Sequence, residues 1–166
     1  MKRINTDYYT RRGRQKRKSL VASIKKWLKK KPRGIQPIVN EAAKETWKEI
    51  SCKQCGNCCR DMTPTWKKSD IKRVAAHVGI TPKQFYDKWL YTDDSGDVMN
   101  TGTPCQFLNK KTNLCTIYEI RPHDCKEFPH FHRKDFVQEI DFYGDNIPRC
   151  PATLLLVEKI EAAIKK

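Results

Sequence analysis

Residues 52–59 read Cys-Lys-Gln-Cys-Gly-Asn-Cys-Cys, four thiols in eight positions, and no other feature of the chain constrains its fold as strongly. A Cys-x2-Cys turn brings two sulfurs onto one ion, because two intervening residues, with Gly56 just beyond, let the backbone fold around the metal and aim its amides at the thiolates. Cys58 extends the run by the same step. Cys59 follows directly, and adjacent side chains point in different directions, so the doublet predicts two metals, or one ligand beside a bystander. Four more cysteines, Cys105, Cys115, Cys125 and Cys150, follow at wider intervals.

An even count of eight cysteines also suits a disulfide framework. The context points the other way. The segment Met1 to Asp7 carries no apolar signal-peptide core, and no stretch reaches the ~18 apolar residues of a membrane span. Such a chain is expected in the reducing cytoplasm, where clustered cysteines serve as metal ligands or redox centres. All-sulfur ligation suits tetrahedral, redox-inert zinc and iron-sulfur clusters equally. The expected cofactor is therefore an iron-sulfur cluster or zinc, held by Cys52, Cys55, Cys58, Cys59, Cys105, Cys115, Cys125 and Cys150. Eight thiolates fill two four-sulfur sites, and the spacing leaves their pairing open. The closing Cys150-Pro151 pair is of the kind that ends bacterial ferredoxin runs.

Charge is concentrated elsewhere. Residues 1–51 hold 16 Lys and Arg against 4 Asp and Glu, a net of +12 out of the chain's +15, so basicity belongs to the N-terminal third. Within it, Thr10 to Lys18 is polycationic without apolar periodicity, which predicts a disordered arm over residues 1–18. Leu20, Ile24, Trp27 and Leu28 then recur at helical spacing among lysines, predicting a basic amphipathic helix that stops at Pro32-Arg33-Gly34. A second segment, Ile38 to Ile50, places Ala42, Ala43, Trp47 and Ile50 on one side. Residues 19–49 are thus expected to be a helical extension, and residues 50–166 the cysteine-cluster domain. The basic residues 1–33 suit an acidic partner: a nucleic acid, an anionic membrane surface or a protein.

Beyond the cysteine run, Ser69 and Asp70 precede a helix through Ile71, Val74 and Val78, Gly79 breaks it, and Thr81-Pro82 starts another carrying Phe85, Trp89 and Leu90. Two helices across a glycine turn suggest a helix-turn-helix, but Pro82 to Leu90 offers few side chains suited to base edges, which favours a structural hairpin. The acids Asp93, Asp94 and Asp97 lack the ordered spacing of a calcium loop, so the segment reads as a solvated turn. Residues 103–118 read as two short strands around a polar turn at Asn109 to Asn113, bringing Cys105 and Cys115 close together. Pro122 and Pro129 flank Cys125 and predict a loop there. Further short strand is expected near Phe131 to Phe142, and a closing helix at residues ~151–164, over the cysteines.

Several of these motifs occur together in a known pattern. The run Cys52-x2-Cys55-x2-Cys58-Cys59, then Pro104-Cys105-x-Phe107-Leu108, Cys115-x-Ile117-Tyr118, Arg121-Pro122-x2-Cys125 and Phe128-Pro129 resembles the YkgJ-type CxxCxxCC cysteine-cluster family, a family of zinc- or iron-chelating domains. The resemblance covers residues ~50–151, includes the Asp70 and Phe85 positions of the helical hairpin, and leaves the basic third uncovered. Lys126 stands where the family commonly has arginine. A related cysteine-rich region occurs in the longer flagellin lysine N-methylases, so the resemblance implies, as an alternative, a metal-dependent protein-modifying enzyme. No glycine-rich nucleotide loop accompanies it.

Histidines are the other candidate ligands. His123, His130 and His132 suit mixed Cys/His ligation, although the thiols suffice to fill the coordination, which makes surface or outer-shell roles the better reading. His77 falls inside a helix and reads as structural. The sequence therefore predicts an α+β fold, mainly helical with a short β-hairpin, irregular and stabilised by metal. Its function reads as cytoplasmic metal binding, with metal-dependent protein modification and nucleic-acid-binding accessory roles as alternatives.

Overall fold

The computed structural model describes residues 4–30, 34–131 and 136–165. In chain order its elements are α1 (Thr6–Lys30), α2 (Ile35–Glu49), two single-turn helices α3 (Cys52–Cys55) and α4 (Cys58–Asp61), α5 (Lys68–His77) and α6 (Pro82–Trp89). Strands β1 (Leu90–Thr92), β2 (Val98–Asn100), β3 (Leu108–Asn109) and β4 (Leu114–Cys115) follow, then α7 (His123–Glu127), α8 (Ile140–Asn146) and α9 (Pro151–Ile164). The fold is α+β and mainly helical, as expected, with two short antiparallel strand pairs where the sequence predicts one hairpin. Among the described residues no helix is long and apolar enough to cross a membrane.

The chain divides into two compact units, Met1–Cys55 with Pro129–Lys166, and Gly56–Phe128. This differs from the expected division into an arm, a helical extension and a domain from residue 50. In the first unit α1, α2 and α8 pack on α9, so the N-terminal helices share a core with the end of the chain. Leu154, Leu156, Val157 and Ile160 of α9 are fully buried in it, with Ile24 and Val39.

The segment read as a disordered arm is the first half of α1. Its buried residues, Thr6, Gly13, Leu20, Ile24 and Leu28, continue one stripe at heptad and i+4 spacing. Thr6 and Gly13 carry no apolar bulk, so the stripe is invisible to a hydrophobicity reading. A side chain at Gly13 would stand 2.6 Å from the Ile147 carbonyl oxygen, so glycine is what allows that close approach. The charge repulsion is offset by acids from the C-terminal segment. Glu158 accepts from Arg12 (Nε, 2.9 Å; Nη2, 2.8 Å) and from Lys16 (Nζ, 2.8 Å), while Asp145 pairs with Arg17 and Asp141 with Lys25. In α2 the core face is Ile35, Val39, Ala42, Ala43 and Thr46. Trp47, expected on that face, is half-exposed and packs its ring against Phe131 at 5.1 Å.

The second unit is built on α5 and α6. Gly79, at φ +74°, turns the chain between them, and Thr81 and Gln84 cap α6 reciprocally behind Pro82. Phe85 is fully buried against Trp66, Trp89 and Phe107 at ring separations of 5.0–6.0 Å, the aromatic centre of this unit. The acid-rich segment read as a solvated turn is the turn of a β-hairpin. Asp93 Oδ1 accepts from the N–H groups of Ser95 and Asp97, and β1 pairs with β2 from Leu90–Asn100 to Thr92–Val98.

The second hairpin falls where the sequence places it, Leu108 opposite Cys115 and Asn109 opposite Leu114. Two other expectations change. Cys125 stands on α7 and not on an extended loop, because Pro122 sits at the helix N-cap, where its missing N–H costs nothing, and the helix stops before Pro129. The strand expected near Phe131 to Phe142 is absent from its described part, which is turn at 136–139 and then helix α8; His132 lies outside the described residues.

Candidate metal centre

All eight cysteines are free thiols, and five of them, Cys58, Cys59, Cys105, Cys115 and Cys125, lie in the Gly56–Phe128 unit. Their positions follow from the local backbone. Gly56, at φ +58°, directly follows Cys55 and lies against the Asn113 carbonyl so closely that a side chain there would collide with it. Arg60 Nε donates to Asn113 Oδ1 at 2.8 Å, fastening the start of the unit to the tip of the β3–β4 hairpin. The Cys105 N–H donates to the Cys59 carbonyl at 2.8 Å. On the far side, buried Asp70 accepts from the His123 N–H at 3.2 Å and from Arg73 at 2.6 Å, and Arg73 also reaches the carbonyls of Ile120 and Arg121. Helix α5 thus holds the start of α7, which carries Cys125.

Within the unit, Cys58, Cys59, Cys105 and Cys125 line one small cavity of about 60 Å³, together with Asp124, Met62 and Phe128. The Asp124 carboxylate is turned to the backbone, accepting from the Thr65 N–H at 3.1 Å. The doublet therefore does what adjacent residues were not expected to do: Cys58 and Cys59, at the start of one helical turn, both face the cavity. A hydrogen bond from Cys58 holds the Cys59 thiol below its ordinary pKa, against the opposing effect of burial. Cys105 is pushed up to about 11, chiefly by burial, with a thiolate at Cys59 adding to the rise. Burial raises Cys125 further and Cys115 too, and charge on Cys59 acts on both.

One thiolate at Cys59 thus disfavours the next, and a fully ionised cluster requires a cation to balance it. Other features already favour charge on sulfur. The backbone N–H of Phe107 faces the Cys105 sulfur and that of Ile117 the Cys115 sulfur. The side chain of Asn100 also faces Cys105, and its Nδ2 is one of two buried side-chain polar atoms, among the described residues, without a hydrogen-bond partner. Among the described residues no three Cys, His, Asp or Glu side chains stand close enough to hold an ion as they are, so binding requires the cavity thiols to draw together. The donor set, the backbone amides at sulfur and the orphaned amide all fit a thiolate-bound metal.

Three sequence-predicted ligands lie in the other unit. Cys52 and Cys55 occupy the first and last positions of α3. Cys150 is buried at the start of α9, where its sulfur faces the N–H groups of Ala152 and Thr153, and burial raises its pKa. Among the described residues, His77, His123 and His130 are not in the cavity lining. His130 is buried with its carbonyl accepting from the Tyr143 hydroxyl at 2.9 Å, His123 serves Asp70 through its N–H, and His77 is exposed at the end of α5. What the sequence reading missed is Asn100, whose signal is its place at the end of a strand that was read as loop.

The sequence model of the family CxxCxxCC, described as "Putative zinc- or iron-chelating domain", matches residues 51–151. The chain belongs to this family. Metal binding, by zinc or iron, is the general property that this family description supports. The chain is also similar to Uncharacterized protein MJ0661 of Methanocaldococcus jannaschii, 32% identical over 81 residues, a stretch that spans 48% of this chain and 43% of that protein. No solved structure matches the chain.

Proposed function

We propose that the Gly56–Phe128 unit is a cytoplasmic metal-binding module in which the thiolates of Cys58, Cys59, Cys105 and Cys125 hold zinc or an iron-sulfur cluster. The observation that carries this is the single cavity lined by all four thiols, at an apolar, largely buried place where clustered thiolates need a cation. Cys115 stands beside the set. Cys52, Cys55 and Cys150 are further proposed ligands on the strength of the motif, not of the cavity. Bound there, zinc would supply a closed tetrahedral staple, and an iron-sulfur cluster a one-electron centre.

The basic residues are proposed to meet an acidic partner. Supporting this, Arg11, Arg14 and Lys18 lie exposed at i, i+3 and i+7 along α1, while Arg12, Lys16, Arg17 and Lys25 are spent on acids of the same unit.

Anaerobic purification followed by elemental analysis, a visible absorption spectrum and thiol alkylation tests the metal reading. The expected result is a stoichiometric zinc or iron content, with the four cavity thiols protected until the protein is denatured or stripped with chelator. A folded, metal-free protein whose four cavity thiols alkylate freely would overturn it.

A further inference from the structure

Asn100 closes β2 and is 2% exposed. Its Oδ1 accepts two hydrogen bonds, from Trp66 Nε1 at 2.8 Å and from Gln106 Nε2 at 3.2 Å. Indole N–H is a donor only, so rotating the Asn100 amide by half a turn would set its own NH₂ against the Trp66 N–H, whichever way the Gln106 amide is turned. The orientation is therefore fixed by chemistry. The consequence falls on Nδ2, which is buried without a partner while the side chain faces Cys105. An amide N–H left unpaired in a protein interior is costly, and a neutral thiol is a weak acceptor that does little to relieve it. A metal-bound thiolate is a strong one. Cys105 and Gln106 are chain neighbours, and Trp66 is anchored by its own N–H to Val98 at 2.8 Å, so clamp and target are both tied to the β1–β2 hairpin.

We propose that Asn100 is a positioning residue of the metal centre, clamped by Trp66 and Gln106 so that its Nδ2 donates a hydrogen bond to the Cys105 thiolate when metal is bound. The inference rests on Cys105 being a ligand. A donor at a ligating sulfur stabilises the thiolate against protonation, which favours metal over proton at neutral pH, and raises the reduction potential if the centre is iron-sulfur.

Two variants separate the donor from the clamp. Asn100→Asp keeps oxygen acceptors for Trp66 and Gln106 and exchanges the donor for a charge, whereas Asn100→Leu removes donor and acceptors and adds no charge, so a loss shared by both is the loss of the donor. Cobalt(II) is titrated into the full-length, anaerobically reduced, metal-stripped protein, and affinity is read by chelator competition alongside the sulfur-to-cobalt charge-transfer band. Both variants are expected to bind cobalt about 10–100-fold more weakly, with the band at longer wavelength because the sulfur lone pair is no longer stabilised. Should Asn100→Asp match wild type in affinity and band position while Asn100→Leu alone falls, Asn100 is only the anchor of Trp66 and the proposal is overturned. Wild type that binds no cobalt through its thiols would instead remove the metal reading itself, a failure distinct from that of the donor. Melting curves of the metal-free variants report folding separately, and a similar loss of affinity in both variants, each melting with the wild type, assigns the effect to the missing donor, whereas a loss confined to Asn100→Asp is one of charge and overturns the proposal.

Discussion

The two units of this chain are stabilised by different means. The first rests on long helices: α1, α2 and α9 have 25, 15 and 14 residues, and they bury an aliphatic stripe without any need of the thiols. The second, about seventy residues, has no helix longer than 10 residues and no strand longer than 3. Helices that short and isolated two-stranded hairpins are marginal in water, and small scaffolds generally need a staple. The sulfur cavity is in this second unit. Where secondary structure is least able to support itself, the sequence places five of its eight cysteines.

The largest expected effect breaks the comparison directly. Removing the metal with a chelator under reducing conditions takes away a stabilisation on the order of 10 kcal/mol for structural zinc at neutral pH. Hydrogen exchange should then lose protection across α5, α6 and β1 while the amides of α9 and the middle of α1 keep theirs. Equal loss in both units would mean that the first is not self-sufficient.

Core truncations sharpen the same contrast at a smaller scale. Phe85→Ala empties the centre of the aromatic cluster and should cost about 3–5 kcal/mol, with weakened metal binding because Trp66 and Phe107 flank the Asn100 and Cys105 positions. Ile24→Ala, fully buried in the first unit, should cost about 2–5 kcal/mol and leave metal affinity as it was. Denaturant melts paired with metal competition measure both, and an Ile24→Ala protein that releases metal would contradict the division.

These contrasts also explain what the sequence could and could not show. The helices of both units were legible where large apolar residues mark the period, as in Leu154 to Ile160, and where glycine or proline marks an end, as at Gly79 and Pro82. The helical first half of α1 was not, because Thr6 and Gly13 fill its stripe by smallness and its Arg12, Lys16 and Arg17 are matched by Asp145 and Glu158, far along the chain. The β1–β2 pair was hidden for a related reason: three-residue strands leave no alternation to read, and Asp93 looks like a loop acid until its backbone partners are known. At the site, the cysteines were visible one by one. Their sharing of a cavity was not, since it depends on a single helical turn that aims Cys58 and Cys59 the same way and on the Asp70–Arg73 pair that holds α7.

That pair supplies the next test. Burial alone would raise the Asp70 pKa, but the hydrogen bonds from Arg73 and from the N–H groups of His123 and Lys67 outweigh it and hold the carboxyl below its ordinary 3.8. A depressed pKa contributes stability that is present above the ordinary value and lost as pH falls through the folded one. Asp70→Asn should therefore cost about 1.5 kcal/mol at neutral pH, a charge-assisted hydrogen bond's worth, and the gap to wild type should narrow as the pH drops below 3.8. Chemical denaturation at a series of pH values reads this, and a gap independent of pH would assign the cost to packing instead.

The smallest effect tests the first unit's account of itself. Glu158 is 14% exposed and takes a bidentate contact from Arg12 and a third from Lys16, so it offsets the repulsion of the cationic half of α1. Exposed ion pairs contribute about 0.2–1 kcal/mol, and the shared, forked geometry places this one near the top of that range. Glu158→Gln should lower the exchange protection of the first turns of α1 at low ionic strength, with little effect in molar salt, where the repulsion it offsets is screened. Metal affinity should not move, because every partner of Glu158 belongs to its own unit. If protection in α1 is unchanged at low salt, the small-residue stripe of Thr6 and Gly13 holds the helix unaided, and the acids at the end of the chain serve only to make a basic surface less so.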